Sequence, residues 1–188
     1  MFTNNYRTYR RMMFLNKDST FVNANGESVT GYAKNGYVGD IGYYLHMGQI
    51  DAPTNKSSTS SSTPNPSGCK AGVHFGSGST PATKEDYTLE KLITSGMTIT
   101  SRTAVIETTE VEGSYTFSAS FILTNTSDAE INVYEIGYYG AICKDGNTTY
   151  TYPVLMERTV LSEPVTIPVG GQKLISYKLT FNQTLNVD

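Results

Sequence analysis

Between residues 115 and 123 the chain places an apolar side chain at every second position: Tyr115, Phe117, Ala119, Phe121 and Leu123. Thr116, Ser118, Ser120 and Ile122 lie between them. A period of two marks an extended strand with one face turned inward and the other mostly outward. The pattern recurs along the second half of the chain. Ile131 to Ile142 carries apolar or aromatic residues on both faces, as a central strand covered on both sides would. Tyr150 to Val160 follows, holding Pro153, which suits an edge position or a bulge. Val165, Ile167 and Val169 alternate up to Gly170-Gly171, and Ile175, Tyr177, Leu179 and Phe181 alternate near Lys173, Ser176 and Lys178. Asn125 to Asp128 and Asp145-Gly146 supply turns. About six strands at this turn spacing predict an antiparallel β-sandwich, with core strands from about 97 to 183 inside a domain spanning 69–188.

Composition agrees with an all-β class. Apolar residues make up 38% and charged residues 16%, against about 45–50% and 25% in ordinary soluble domains. Uncharged polar residues fill the gap, which is a poor recipe for a solvated helical surface and a good one for a pleated sheet. The net charge of -3 offers no basic footprint of the kind that phosphate contacts need, so no nucleic-acid partner is expected. No apolar run approaches a membrane span, so no membrane partner is expected either. Only Met12 to Leu15 form an apolar run near the start, too short for a secretory leader, so the chain is expected to be made and kept in the cytoplasm of its producer. Cys69 and Cys143 lack metal-ligand or disulfide-framework spacing and read as free thiols.

Residues 1–51 form a distinct region, rich in Tyr, Gly and Asn and punctuated by Asn25-Gly26 and Asn35-Gly36. Short extended segments around Thr20–Val22, Ser28–Ala33 and Tyr37–Met47 make it an extended, β-rich arm or small subdomain. Residues 52–68 are a Ser/Thr/Pro tract with nothing apolar to bury after Ala52, which reads as a linker or long loop. Thr83 to Ile93, with Thr83 as cap and Glu85 and Asp86 in the first turn, is the one segment expected to form a turn or two of helix.

Several groups are of types that can carry chemistry. His46 and His74 have no metal-ligand spacing and read as ordinary strand residues. Glu107, Glu110 and Glu112 sit in a Thr-rich stretch that reads as a solvated hairpin end rather than a glycosidase pair. Gly76-Ser77-Gly78-Ser79-Thr80 lacks the Gly-Lys-Ser/Thr ending of a phosphate loop, and Gly76-Ser-Gly misses the nucleophile-elbow spacing. No cofactor is implied. Arg7, Arg10, Arg11 and Lys17 give the first 17 residues four positive charges and no negative one. With Tyr6, Tyr9 and Phe14 interleaved, Tyr6, Arg7, Tyr9, Arg10, Arg11 and Phe14 form a candidate surface for docking on a protein partner. The chain has 14 tyrosines and no tryptophan, and Tyr43-Tyr44 and Tyr138-Tyr139 put rings on both faces of a strand. Half of each pair is expected in the core, and the other half at a subunit contact or available to stack on a sugar.

Three stretches resemble virion proteins of tailed bacteriophages. Val73-His-Phe-Gly-Ser-Gly-Ser-Thr-Pro-Ala-Thr-Lys-Glu-Asp-Tyr-Thr-Leu-Glu resembles their G-x-G-T-T-P-x-x-x-D-Y-x-L-E segment. Phe121-Ile-Leu-Thr-Asn-Thr-Ser-Asp-Ala-Glu-Ile-Asn-Val-Tyr-Glu-Ile-Gly-Tyr-Tyr is similar to F-x-N-x-(S/T)-x-x-x-I-x-(V/I)-x-E-(I/V)-G-(L/Y)-Y. Met156-Glu-Arg-Thr-Val-Leu-Ser-Glu-Pro-Val-Thr-Ile-Pro-Val-Gly-Gly resembles R-T-V-L-x-x-P-(V/I)-T-(V/I)-x-x-G. The resemblance covers about residues 73–182. It implies an Ig-like sandwich at the neck, tail or capsid surface, with other virion proteins and copies of itself as partners. Glu135 falls inside an otherwise apolar strand, and a buried carboxylate needs a partner. Arg158, in a segment that reads as a bent connection between strands, is the expected one.

The first expectation is therefore a non-enzymatic, oligomeric structural component of a virion. The alternative is a carbohydrate-binding or host-adhesion module that presents exposed tyrosines to a host-surface glycan. A hydrolase is the least supported of the three, since no acid–base constellation stands out.

Overall fold

The computed structural model describes residues 1–15, 17–31, 48–49, 53, 56–57, 70–108, 114–143 and 150–182. Among these described residues there are one helix and ten strands, mostly antiparallel. In chain order they are α1 (Asn4–Leu15), β1 (Ser19–Val22), β2 (Ser28–Gly31), β3 (Gly48–Gln49), β4 (Lys56–Ser57), β5 (Gly72–Gly76), β6 (Met97–Thr108), β7 (Ser114–Asn125), β8 (Ile131–Cys143), β9 (Tyr150–Ile167) and β10 (Gln172–Asn182). One sheet has the order β10-β7-β6, a second β3-β5-β8-β9-β4, and β1 and β2 form a separate hairpin.

The alternating strands follow directly from their sequences. In β7, Ala119, Phe121 and Leu123 are buried, and in β10, Ile175, Tyr177 and Leu179 are buried beside them. The intervening Ser120, Ile122, Ser176 and Lys178 lie on the other face and are half-buried or exposed, as the pleat requires. β5 is buried along its whole length. Phe75 on β5 meets Phe121 on β7 edge to face, with ring centroids 5.7 Å apart, so the inner faces of the two larger sheets share one core.

The structure corrects several expectations. Residues 4–15 form a helix and not part of an extended arm. Tyr6, Tyr9 and Met12 recur at helical spacing and pack on the core, so the period of three to four decides the conformation. Thr3 starts the helix, with its carbonyl accepting from Arg7 N. Among the described residues of this region, the β1–β2 hairpin and the two-residue β3 are extended; the hairpin turns at Gly26, whose φ of +81° glycine adopts freely, and the segment expected at Tyr37–Met47 lies outside the described residues. Thr83 to Ile93 forms no helix. Instead, Thr83 and Asp86 close a single turn, with Asp86 carboxylate oxygens accepting from Thr83 N at 3.0 Å and Thr83 Oγ1 at 2.8 Å. The chain is then drawn away by contacts described below.

The two segments expected at 150–160 and 165–169 are one strand, β9. Its register against β8 breaks twice. Leu161 to Pro164 have no partner in β8, and Met156 is an extra residue opposite the Tyr138–Tyr139 step. Residues 1–31 are not detached from the β-sheets. Thr3 N–H donates to the Met156 carbonyl at 3.0 Å, and Arg158 N–H donates to the Met1 carbonyl at 3.1 Å. In the 52–68 tract, Lys56–Ser57 pair with the start of β9, and nearly all the rest lies outside the described residues, as do His46, Tyr43, Tyr44, Cys69, Glu110 and Glu112. Among the described residues no helix is long and apolar enough to cross a membrane.

Phe121 carries the contact between the two inner faces and is fully buried. Phe121→Ala is expected to cost about 3–5 kcal/mol of stability, measured as a loss in the denaturant midpoint at unchanged slope.

Candidate functional site

Glu135 on β8 and Arg158 on β9 have side chains 0% and 4% exposed, and Arg158 Nε lies 2.8 Å from Glu135 Oε2. The structure thus joins the two residues that the sequence pairs. Residues 77–91 close over them as a clasp that leaves β5 and returns to it. Ser77 N–H donates to the Lys91 carbonyl, and Ile93 N–H donates to the Phe75 carbonyl. Within the clasp the Glu135 carboxylate accepts three backbone N–H groups: Gly78 at 3.1 Å, Glu90 at 3.1 Å and Lys91 at 2.8 Å. The glycine-rich loop, which the sequence does not read as a phosphate site, lends one amide, Gly78 N–H, to the chain's own glutamate. A Cβ at Gly76 or Gly78 would stand 2.4 or 2.6 Å from Glu135 Oε1, so glycine is required there for close approach.

All three nitrogens of the Arg158 guanidinium are engaged. Besides Glu135, it donates to Asp86 Oδ2 at 2.8 Å and to the Thr80 carbonyl at 3.1 Å, with Glu90 Oε2 at 3.5 Å. Burial works against the guanidinium charge, but the bonds to Asp86 and Glu135 outweigh it and raise its pKa. Burial likewise pushes the Asp86 carboxyl up, yet the bonds from Arg158 and Thr83 prevail and hold it below its ordinary value.

Tyr138 and Tyr139 are both buried, at 1% and 0% exposure. Neither is left for a partner or a sugar, because the clasp covers the second face of β8. The Tyr139 hydroxyl accepts from Leu89 N at 2.8 Å and meets Thr88 Oγ1 at 3.1 Å. Burial raises its pKa to about 12. Tyr139, Leu89 and Leu155 make a small second core there. His74 is buried, with Nε2 2.7 Å from the Lys70 carbonyl.

A second polar cluster lies on the opposite face of β9. Glu157 is 4% exposed and accepts from the Met1 amino group at 2.6 Å, from Thr159 Oγ1 at 2.7 Å and from the Tyr177 hydroxyl. Burial, then the Glu157 charge, raises the pKa of Tyr177. Sequence reading missed this site, and an acid and a base adjacent in an apolar strand were its available signal.

The N-terminal docking candidates divide by burial. Tyr6 is buried, stacked on Phe2 at 4.2 Å, and is removed from the docking surface. Tyr9 is half-buried against the core, and the Phe14 side chain lies outside the described residues. Arg7, Arg10 and Arg11 are exposed on one helical ridge, and among the described residues none of them is in an ion pair. At the end of this ridge Arg11 and Lys17 border a hollow of about 320 Å³ with Thr8, Asp18 and Thr20. The helix beneath is fixed at several points. Thr3 Oγ1 donates to the Leu155 carbonyl at 2.6 Å, and Asn4 N–H donates to the Lys84 carbonyl of the clasp at 2.7 Å. Asn5 exchanges two hydrogen bonds with the Val22 backbone. The arrangement can offer three guanidinium forks, on stems spaced by one fixed helix, to carboxylates on another surface.

Arg158→Ala leaves Glu135 charged and buried, and is expected to cost about 3–5 kcal/mol. The paired change Glu135→Leu with Arg158→Met should recover only part of that loss in thermal melts, because it leaves the Gly78, Glu90 and Lys91 amides without their acceptor. Gly78→Ala should destabilise by about 1–3 kcal/mol through overpacking against Glu135. For Asp86 the lowered pKa means its stabilising effect is present above the ordinary carboxyl value of 3.8 and is lost as pH falls through the lower folded value. The stability difference between the native chain and Asp86→Asn should therefore be largest near neutral pH and shrink below pH 3.8 in pH-dependent denaturation.

No family model, curated protein or solved structure matches the chain.

Proposed function

We propose that the chain is a non-enzymatic structural component of a tailed-phage virion, an Ig-like β-sandwich assembling by protein–protein contacts at the neck, tail or capsid surface. One observation carries this reading. The three stretches that resemble such proteins meet at a single interior network: the clasp brings Gly78, Asp86 and Glu90, β8 brings Glu135, and β9 brings Arg158. That network serves to hold a frame, and the frame presents the Arg7, Arg10 and Arg11 ridge outward. Mass spectrometry of purified particles from the producing culture should find the chain at constant stoichiometry to the other virion proteins. Its absence from particles would overturn the reading. Replacing Arg7, Arg10 and Arg11 together by Glu should abolish incorporation while leaving the melting temperature nearly unchanged, because these side chains make no ion pair among the described residues.

A second reading, host-glycan adhesion, draws on one ring. Tyr87 is 41% exposed at a hollow of about 300 Å³ bordered by Glu85, Asp86, Thr88 and Glu90, a setting in which a sugar could stack on the ring and bond to carboxylates. A glycan array with the native chain and Tyr87→Ala separates the two readings: specific binding lost in the variant favours adhesion.

A further inference from the structure

The two asparagines of the β1–β2 turn are used differently. Asn23 is buried, and its side chain is engaged at both ends. Its Oδ1 accepts from Asn25 N at 3.0 Å and Glu27 N at 2.9 Å, and its Nδ2 donates to Glu27 Oε2 at 2.8 Å. Asn25 is exposed, and among the described residues its side-chain amide makes no hydrogen bond. The side chains of Asn5, Asn125 and Asn132, by contrast, are all hydrogen-bonded. Among the described asparagines, Asn25 alone precedes a glycine. Asparagine is a chemically labile side chain, and glycine has no Cβ to shield its own backbone nitrogen. An unanchored electrophile thus stands beside an open nucleophile.

We infer that Asn25 is a site of spontaneous deamidation, with Gly26 supplying the nucleophile and water the second reactant. The Gly26 backbone nitrogen gives up its proton and attacks Asn25 Cγ. The new C–N bond closes a five-membered succinimide, and the side-chain nitrogen leaves as ammonia with that proton. Water then opens the ring at one of its two carbonyls. Opening at Cγ restores the ordinary backbone and leaves aspartate at position 25. Opening at the main-chain carbonyl routes the backbone through the side chain as isoaspartate. Either product carries a carboxylate where the native residue is neutral.

The fold sets the rate of the first step. Gly26 N–H donates to the Asn23 carbonyl at 2.9 Å, and Asn23 N–H donates to the Glu27 carbonyl at 2.9 Å. A nitrogen whose proton is held in this way attacks only when the turn opens. That opening is local, because the hairpin consists of two four-residue strands and short exposed units open well below the cost of global unfolding. The products in turn disturb the hairpin. The new carboxylate stands two positions from Glu27, whose own carboxylate Asn23 holds inside the turn. Isoaspartate also adds a methylene to a backbone closed by fixed hydrogen bonds. Gly26 lies so near the clasp that a Cβ on it would stand 3.3 Å from the Tyr87 ring, so a displaced turn is felt there.

The inference is independent of the proposed function, since it is read on the purified full chain. The chain is held at mildly alkaline pH, digested with trypsin and mapped by mass. Cleavage after Lys17 and Lys34 places Asn25 in the 18–34 peptide and Asn35 in the next one. The 18–34 peptide should gain the mass difference between a carboxylic acid and its primary amide. Fragmentation should locate the gain at residue 25, and an isoaspartate methyltransferase should label part of it. In denaturant, where the turn is always open, the gain should be faster by about tenfold or more. Asn25→Gln, which would have to close a six-membered ring, should leave this peptide unchanged. Amide exchange at Asn23 and Gly26 should be faster in the aged chain than in the fresh one. A native chain that shows no gain while the denatured chain converts overturns the inference. So does a gain that Asn25→Gln leaves in place, or an equal rate in the folded and unfolded chains.

Discussion

The buried pair of Glu135 and Arg158 is the constraint on which the rest of the structure depends. Two charges removed from water are tolerable only if each finds nearly every bond it can make. Glu135 accepts from three backbone amides as well as the guanidinium, and Arg158 donates to two or more further oxygens. Those bonds are made by residues 78–91, so satisfying the charges and folding the clasp are one event. Once the clasp is down, it covers Tyr139 and binds the backbone of Asn4. A chemical requirement at two residues thereby becomes the placement of a loop, a second small core and a helix.

β9 performs the same service on its other side. Glu157 and Arg158, adjacent in sequence and in regular register with Tyr138 and Gly137, face opposite sides of the sheet because successive strand residues alternate. Arg158 enters the clasp, and Glu157 enters the space between the two inner faces, where Tyr177 of the opposing sheet reaches it. Both are nearly fully buried, and each would be an unmatched charge on the other's side. The N-terminal segment docks at the same point of β9, which ties the helix and its arginine ridge to the strand that organises both faces.

Much of this was legible in the sequence where one local rule dominates. β7 and β10 announce themselves by strict alternation, and the β1–β2 hairpin by Asn25-Gly26. The carboxylate inside an apolar strand pointed to Arg158 because a buried charge has few solutions. The failures arose where two rules compete. In α1 the helical spacing of Tyr6, Tyr9 and Met12 was obscured by asparagines, tyrosines and a charge cluster that also suit an exposed tail. At Thr83 the capping signal was real, but Asp86 answers to Arg158 and Leu89 to Tyr139, and these long-range bonds stop the turn from propagating. The burial of both Tyr138 and Tyr139 could not be read locally, since it depends on a loop about fifty positions away folding over β8.

The opposed orientation of Glu157 and Arg158 has a consequence for how the molecule finds its alignment. Hydrocarbon faces forgive small errors, because one branched side chain fills a gap much as another does. A strand displaced by a single position inverts its faces, and in β9 that inversion would thrust a carboxylate toward other carboxylates and a guanidinium into an oily interior. Neighbouring opposite charges thus act as a built-in proofreading mark: a misthreaded arrangement carries an electrostatic cost that apolar shapes alone would not impose.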